Sequence, residues 1–195
     1  MRRDLLNSAL AVLVLTVVLG LAYPLATTGV ARLLFPGSSG GSLVERDGRT
    51  VGSRLIAQSF AGLPRYFQSR PSATGYAADA TSFDNLGPNS AALRRALAAN
   101  LRAYLRREGP YDQVLTRSEI PVDAVTFSGS GVDPQISVAN ARIQAHRVAA
   151  VRDLSLRAIL DLIARHTEGR GLGLFGEPGV NVLALNLALN QSGRR

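Results

Sequence analysis

Residues 9–26 read ALAVLVLTVVLGLAYPLA, a run with no charged side chain in which Thr16 and the Tyr23 hydroxyl are the only polar side-chain groups. As a helix rising 1.5 Å per residue it spans roughly 27 Å, close to the ~30 Å hydrocarbon core of a bilayer. A water-soluble domain seldom places so long an uncharged stretch at its N-terminus. The run therefore divides the chain into a single membrane span and about 165 residues of polar, patterned sequence on one side of it.

Arg2 and Arg3 precede the span, and only Arg32 comes after it before the Glu45-Arg46-Asp47 group. Positive charge is retained on the cytoplasmic face. The expected organisation is a cytoplasmic N-terminus over residues 1–8, a transmembrane helix over 9–27, a linker over 28–41 and an extracytoplasmic domain over 42–195. The alternative is a cleaved signal peptide, which the charged start and the small residues Ala22 and Ala26 would fit. The run is longer than the roughly 7–15-residue core of such peptides, and Tyr23-Pro24 sits where a cleavage site wants small residues. A retained anchor is therefore expected.

Composition excludes several chemistries. With no cysteine there is no disulfide framework, thiolate metal site or cysteine nucleophile. All 22 basic residues are arginine, and the formal net charge is +8. Absence of lysine rules out a Walker A phosphate loop and Schiff-base catalysis. The arginines are scattered, with few aromatic residues among them, whereas a nucleic-acid groove concentrates charge beside stacking side chains. They read as a solvated surface, and no nucleic-acid partner is expected.

The outer segment is long enough for one core. Gly37-Ser38-Ser39-Gly40-Gly41 reads as a flexible hinge. Asp47-Gly48, flanked by Leu43-Val44 and Thr50-Val51, predicts a β-hairpin over residues 42–53. Residues 55–60 extend its second strand or begin a turn, Arg70-Pro71-Ser72 is irregular, and residues 76–89 form a long surface loop. Leu93, Leu97, Leu101, Tyr104 and Leu105 line one face of a helix over 88–107, stopped by Gly109-Pro110. Residues 124–127 predict a strand running into Ser128-Gly129-Ser130-Gly131. A second helix is expected from Asp133-Pro134 to Val151, and a third from an N-cap at Ser155, fraying near His166. Residues 180–189 suit either strand or helix; Asn181 as a cap favours helix. A front hairpin followed mainly by helices makes the domain α+β.

No catalytic set emerges from the motifs. Gly171-Leu172-Gly173-Leu174-Phe175-Gly176 matches G-x-G-x-x-G, but a helix precedes it and Glu177-Pro178 prevents it from opening one, so it reads as a glycine-rich turn. Ser128, Ser130, Asp133 and His146 lack a G-x-S-x-G elbow, and a triad requires hydrogen-bond contact among its members. The plainer reading is a tight turn whose N–H groups can hold an anion or a partner's carboxylate. His146 and His166 show no ligand spacing, Asp79 and Asp84 lack the EF-hand pattern, and no metal site is expected. Among the arginines, Arg70, Arg147 and Arg152 stand apart. Arg147 shares a helical face with apolar residues, which allows either a partly buried guanidinium paired with Asp123 or Glu119 or a recognition role.

Many short motifs in this chain nevertheless carry a resemblance. They are Tyr23-Pro24-Leu25 with Thr27-Thr28, Phe35-Pro36, Gly41-Ser42-Leu43, Gly52-Ser53, Leu55-Ile56 with Gln58, and Tyr66-Phe67 with Arg70-Pro71-Ser72-Ala73. Farther on are Asn85-Leu86-Gly87-Pro88, Val125-Thr126 with Ser128, Ser130-Gly131 and Asp133, and Gln144 with Arg147-Val148-Ala149 and Arg152. Gly176-Glu177-Pro178, Val180-Asn181-Val182-Leu183 and Leu185-Asn186 complete the set. In this order the chain resembles, over nearly its whole length, the C subunit of the bacterial Kdp-type potassium-transporting ATPase. Where that family leads one to expect Gly-Gly-Ser before Asn85, this chain has Ser82-Phe83-Asp84, which makes a phosphate-holding glycine nest less credible there.

The resemblance implies a single-pass plasma (inner) membrane protein serving ATP-driven, high-affinity potassium uptake. Its implied partners are a channel-like potassium-binding subunit, a P-type ATPase subunit, a small membrane peptide and the lipid bilayer. It implies a non-catalytic role in assembly and stability, and the family is credited with acting as a catalytic chaperone that raises the pump subunit's ATP affinity. ATP and potassium are then handled by the complex, with no cofactor on this chain and no nucleotide-binding residue assigned. Tyr23, Pro24, Arg70, Ser128, Ser130, Asp133 and Arg147 are the partner-interface candidates, with Gly20 allowing close helix approach. Asp79, Asp84 and Asp112 are expected to face the ion entrance. The competing readings are an exported serine-dependent hydrolase and a solitary anchored binding protein.

Overall fold

The computed structural model describes residues 1–79, 85–171 and 173–192, so Ser82-Phe83-Asp84 lies outside the described residues. The chain forms two compact units, Met1–Val51 and Gly52–Arg195.

The first unit is dominated by helix α1, Arg2–Leu34, which is long and apolar enough to cross a membrane. None of its residues is buried. It continues past Thr27, and it consists of two α-helical segments, Arg2–Val17 and Tyr23–Leu34, joined by a π turn over Val18–Ala22. Pro24 accounts for the turn. A proline ring collides with the carbonyl four residues back and supplies no N–H, and one extra residue per turn relieves that clash. Beyond Phe35, Pro36–Ser39 adds a single helical turn within the segment expected to be a flexible hinge. Strands β1 (Leu43–Arg46) and β2 (Arg49–Ser53) then form the predicted hairpin. Asp47 and Gly48 both adopt positive φ, 52° and 72°, as a two-residue type I′ turn requires.

The second unit opens with turns rather than an extension of β2, and its first helix is α2 (Ala91–Glu108), where the Ser90 hydroxyl caps Leu93 N–H. Next come β3 (Gln135–Ser137), α3 (Val138–Arg152) and α4 (Leu156–Arg165). Strands β4 (Thr167–Glu168) and β5 (Gly179–Asn181) precede helix α5 (Val182–Ser192). The small antiparallel sheet has the order β3-β5-β4, with Val180 opposite both Ile136 and Thr167. The helices bury Ala141, Ala145, Val148, Ile159, Ile163, Leu185 and Leu189 against Phe67, Ile136 and Val180, giving one α+β core.

Two local expectations are corrected. Residues 124–127 are not a strand: Val122–Ala124 is a 3₁₀ turn after Pro121, and the Thr126 hydroxyl bonds back to the Val122 carbonyl at 2.8 Å. That local bond competes with a strand ladder. The helix expected to start at Asp133-Pro134 starts at Val138, capped by Ser137, because Gln135–Ser137 pairs with β5 first. Ser155 does cap α4, accepting from Ala158 N–H at 3.2 Å. Asn181 likewise caps α5, accepting from Ala184 N–H at 3.0 Å, so the ambiguous tail is a short strand and then a helix.

Candidate functional site

Four of the interface candidates converge on one loop cluster. Arg70 Nη1 donates to Asp133 Oδ2 at 3.0 Å, and Nη2 donates to Thr126 Oγ1 and the Phe127 carbonyl, each at 3.3 Å. Arg70 Nε is buried with no hydrogen-bond partner among the described residues. Asp133 accepts Gln135 N–H on Oδ1 at 3.0 Å, and its own N–H donates to Ser128 Oγ at 3.2 Å. The Ser128 and Ser130 hydroxyls lie 3.2 Å apart, and Ser130 Oγ accepts Val132 N–H. Gly131, at φ 76°, closes the turn against Thr74, and its carbonyl accepts the Ser72 hydroxyl at 2.6 Å. The Tyr76 hydroxyl donates to the Arg70 carbonyl at 2.7 Å, and burial pushes that hydroxyl's pKa up, so it stays a donor.

These bonds show what the cluster can do. The serine hydroxyls accept backbone N–H groups of their own loop, which is how a turn is fixed. His146 sits elsewhere, its Nε2 4.0 Å from Asp112. A nucleophile needs a base within hydrogen-bond reach, and this arrangement offers Ser128 and Ser130 no imidazole. Arg70, Asp133, Gln135, Glu177 and Pro178 instead border an open cleft of about 170 Å³. No group of three or more metal-ligating side chains occurs among the described residues. Gly171 and Phe175 form an isolated antiparallel bridge, a compact turn in place of a strand-to-helix phosphate loop.

Arg147 belongs to the interior. It is 1% exposed, and its pairing with Asp123 or Glu119 is replaced by one with Glu108, also 1% exposed. Arg147 Nε donates to Glu108 Oε2 at 2.9 Å, and Arg107 Nε donates to the other oxygen at 2.6 Å. The remaining Arg147 donors reach Gln144 Oε1 and the carbonyls of Pro64 and Tyr66. Gln144 exchanges hydrogen bonds with the backbone of Gln68 and donates to Asn140 Oδ1. The Tyr104 hydroxyl donates to the same Asn140 oxygen at 2.9 Å; burial, with Glu108 adding to it, holds its pKa far above the ordinary tyrosine range. Asp123 is committed to Ser137 and Asn140. The network supplies partners to the backbone of an irregular stretch, residues 64–68, of which Phe67 and Gln68 are buried.

Arg152 fixes the same stretch from outside, donating to the Arg65 carbonyl at 2.7 Å and lying 4.9 Å over the Tyr66 ring. Sequence reasoning missed Gln68, Glu108 and Asn140, and it singled out Gln144 and Asn186 only as motif residues. The spacing of Asn140, Gln144 and Arg147 on one helical face was the available signal. Tyr23, 63% exposed, and Pro24 lie on the exposed surface of α1. Of the acidic candidates, Asp79 is exposed, whereas the Asp112 side chain is only 14% exposed. Asp84 lies outside the described residues.

The comparisons with known proteins cover the chain almost end to end. The family described as K+-transporting ATPase, c chain (KdpC) matches residues 5–191. The potassium-transporting ATPase KdpC subunit of Mycobacterium tuberculosis is 49% identical over 194 residues, covering 98% of this chain and 100% of that one. The KdpC subunit of Methylococcus capsulatus is 50% identical over 93% of this chain and 94% of its own. That of Sorangium cellulosum is 52% identical over 91% and 92%. With an exposed apolar helix ahead of an α+β unit, and a match that runs through both, this chain belongs to the KdpC family of potassium-transporting ATPase c chains.

Proposed function

We propose that the chain is a non-catalytic accessory subunit of an ATP-driven, high-affinity potassium uptake complex. The observation that carries the reading is the family match through residues 5–191, which spans the anchor helix as well as the outer unit. The exposed apolar surface of α1 supports it, because such a surface needs lipid or neighbouring helices. Arg2 and Arg3 ahead of the span support a cytoplasmic N-terminus and an outward domain. The partners are a channel-like potassium-binding subunit, a P-type ATPase subunit and a small membrane peptide. An outward domain without a lysine phosphate loop acts on the pump's ATP affinity through the complex rather than by holding nucleotide. Exposed Asp79 faces the potassium entrance.

Gentle detergent extraction of a tagged chain tests the assignment: the channel-like and pump subunits are expected to co-purify, and isolation of the chain alone rejects it. The native chain has no cysteine. Asp79→Cys is therefore expected to react with a membrane-impermeant maleimide in intact cells, and Ser8→Cys only after permeabilisation.

A further inference from the structure

The π turn in α1 leaves the Leu19 carbonyl without either of its helical donors. Tyr23 N–H donates to the Val18 carbonyl, five residues back. In α-helical register the Leu19 carbonyl would take that same Tyr23 N–H, which is already engaged. In π register its donor would be residue 24, and Pro24 has no N–H. Hydroxyl side chains in a helix reach carbonyls three or four residues towards the N-terminus. Thr27 does so, donating to the Tyr23 and Pro24 carbonyls at 2.9 and 3.0 Å. The residues placed to serve Leu19 in this way are Ala22 and Tyr23. Alanine has no hydroxyl, and the Tyr23 hydroxyl stands at the far edge of a rigid ring.

Leu19 lies inside the apolar run, about 10 Å from its nearer end at 1.5 Å per residue. A carbonyl without a donor is costly at that depth, and lipid tails supply none. The adjoining surface is open: a Cβ added to Gly20 would meet only Thr16 Cγ2, at 3.8 Å. Thr16 and Gly20, four residues apart, form the small-residue pair that lets another helix approach the backbone closely.

We infer that the Leu19 carbonyl accepts a hydrogen bond from a hydroxyl or carboxamide side chain on a transmembrane helix of a partner subunit, seated on the Thr16–Gly20 face. The inference rests on the chain being a subunit of a membrane complex and specifies the chemistry of its helix contact. Pro24 contributes by withholding a donor, which reserves the carbonyl for the partner.

The test uses the intact complex. A photo-crosslinking phenylalanine derivative at Tyr23 is expected to capture a partner's membrane segment bearing Ser, Thr, Asn or Gln within one helical turn. Replacing that side chain by an apolar one of similar size is expected to lower retention of this chain about threefold, the usual scale of such contacts. In a Pro24→Ala background, where residue 24 supplies the N–H, the same replacement should have no further effect. A captured segment without a donor, or an equal loss in both backgrounds, overturns the inference while leaving the proposed function standing. Purification of this chain without any other subunit overturns both.

Discussion

Helix α1 carries Leu, Val and Ala around its circumference and buries none of them, whereas α3 buries Asn140, Gln144 and Arg147 beside Ala141, Ala145 and Val148. Both helices depart from the ordinary amphipathic pattern, in opposite senses. For α1, whose length and composition fit a membrane span, lipid would take the place of a core. For α3 the interior contains irregular backbone whose polar groups need partners, and the buried side chains supply them. Where a helix puts its polar groups depends on the material packed against it.

Arg147 is where the contrast between the two helices has the largest expected effect. Arg147→Met in the full chain leaves buried Glu108 with only the partly exposed Arg107 as its charge partner and strips the Pro64 and Tyr66 carbonyls of their donor, and it is expected to cost about 3–5 kcal/mol, read as a lower tyrosine-fluorescence unfolding midpoint. Adding Glu108→Leu should recover much of that loss; a cost below about 1 kcal/mol for the single change would show that α3 does not depend on its polar face. Asn186→Leu comes next. It removes the bonds to the Phe67 N–H and carbonyl, at 2.8 and 3.0 Å, and should cost about 2–3 kcal/mol by the same readout.

Gly131→Ala is expected to cost about 1–2 kcal/mol, since φ is 76° there and a Cβ would lie 2.7 Å from Thr74 Oγ1. Thr74→Ser should relieve little of it, because the clashing oxygen remains. Glu119 is the exposed counterpart to Glu108. The Thr116 backbone and hydroxyl bonds hold its pKa below the ordinary carboxylate value. Whatever it contributes is present above that ordinary value and fades as pH falls through the lowered one. Thr116→Ala, by deleting the hydroxyl's share, is expected to move the Glu119 titration upward in an NMR pH series. Leu13→Ala, on the exposed side of α1, should leave the second unit's unfolding midpoint unchanged and so mark the bottom of the scale.

Legibility tracks sequence distance. The apolar run, the Asp47-Gly48 turn and the Ser155 and Asn181 caps are local signals, and each marks the feature it implies. The strand expected at residues 124–127 does not form because Thr126 finds its partner four residues back, a bond that periodicity does not register. The start of α3 is displaced because Gln135–Ser137 is claimed by a strand more than forty residues later in the chain. That Arg147 is buried and paired can be read from its helical face, but choosing Glu108 over Asp123 requires knowing that α2 lies beside α3. In the loop cluster, Ser128, Ser130 and Asp133 are close enough in sequence to read together, while the reach of Arg70 to Asp133 crosses 63 positions. The π turn is a consequence of Pro24, yet its orphaned carbonyl emerges only once the donors are counted.

The bond pair between Phe67 and Asn186 joins positions 119 apart, and both residues are buried. A nascent chain that has emerged as far as α4 still lacks Leu185, Leu189 and the amide that satisfies Phe67. The α1 helix is made well before Asn186, while the interior around Phe67 can close only once α5 has been made. During that interval the stretch around Phe67 stays uncovered and open to aggregation or proteolysis, which favours partners that shelter it from the moment it emerges.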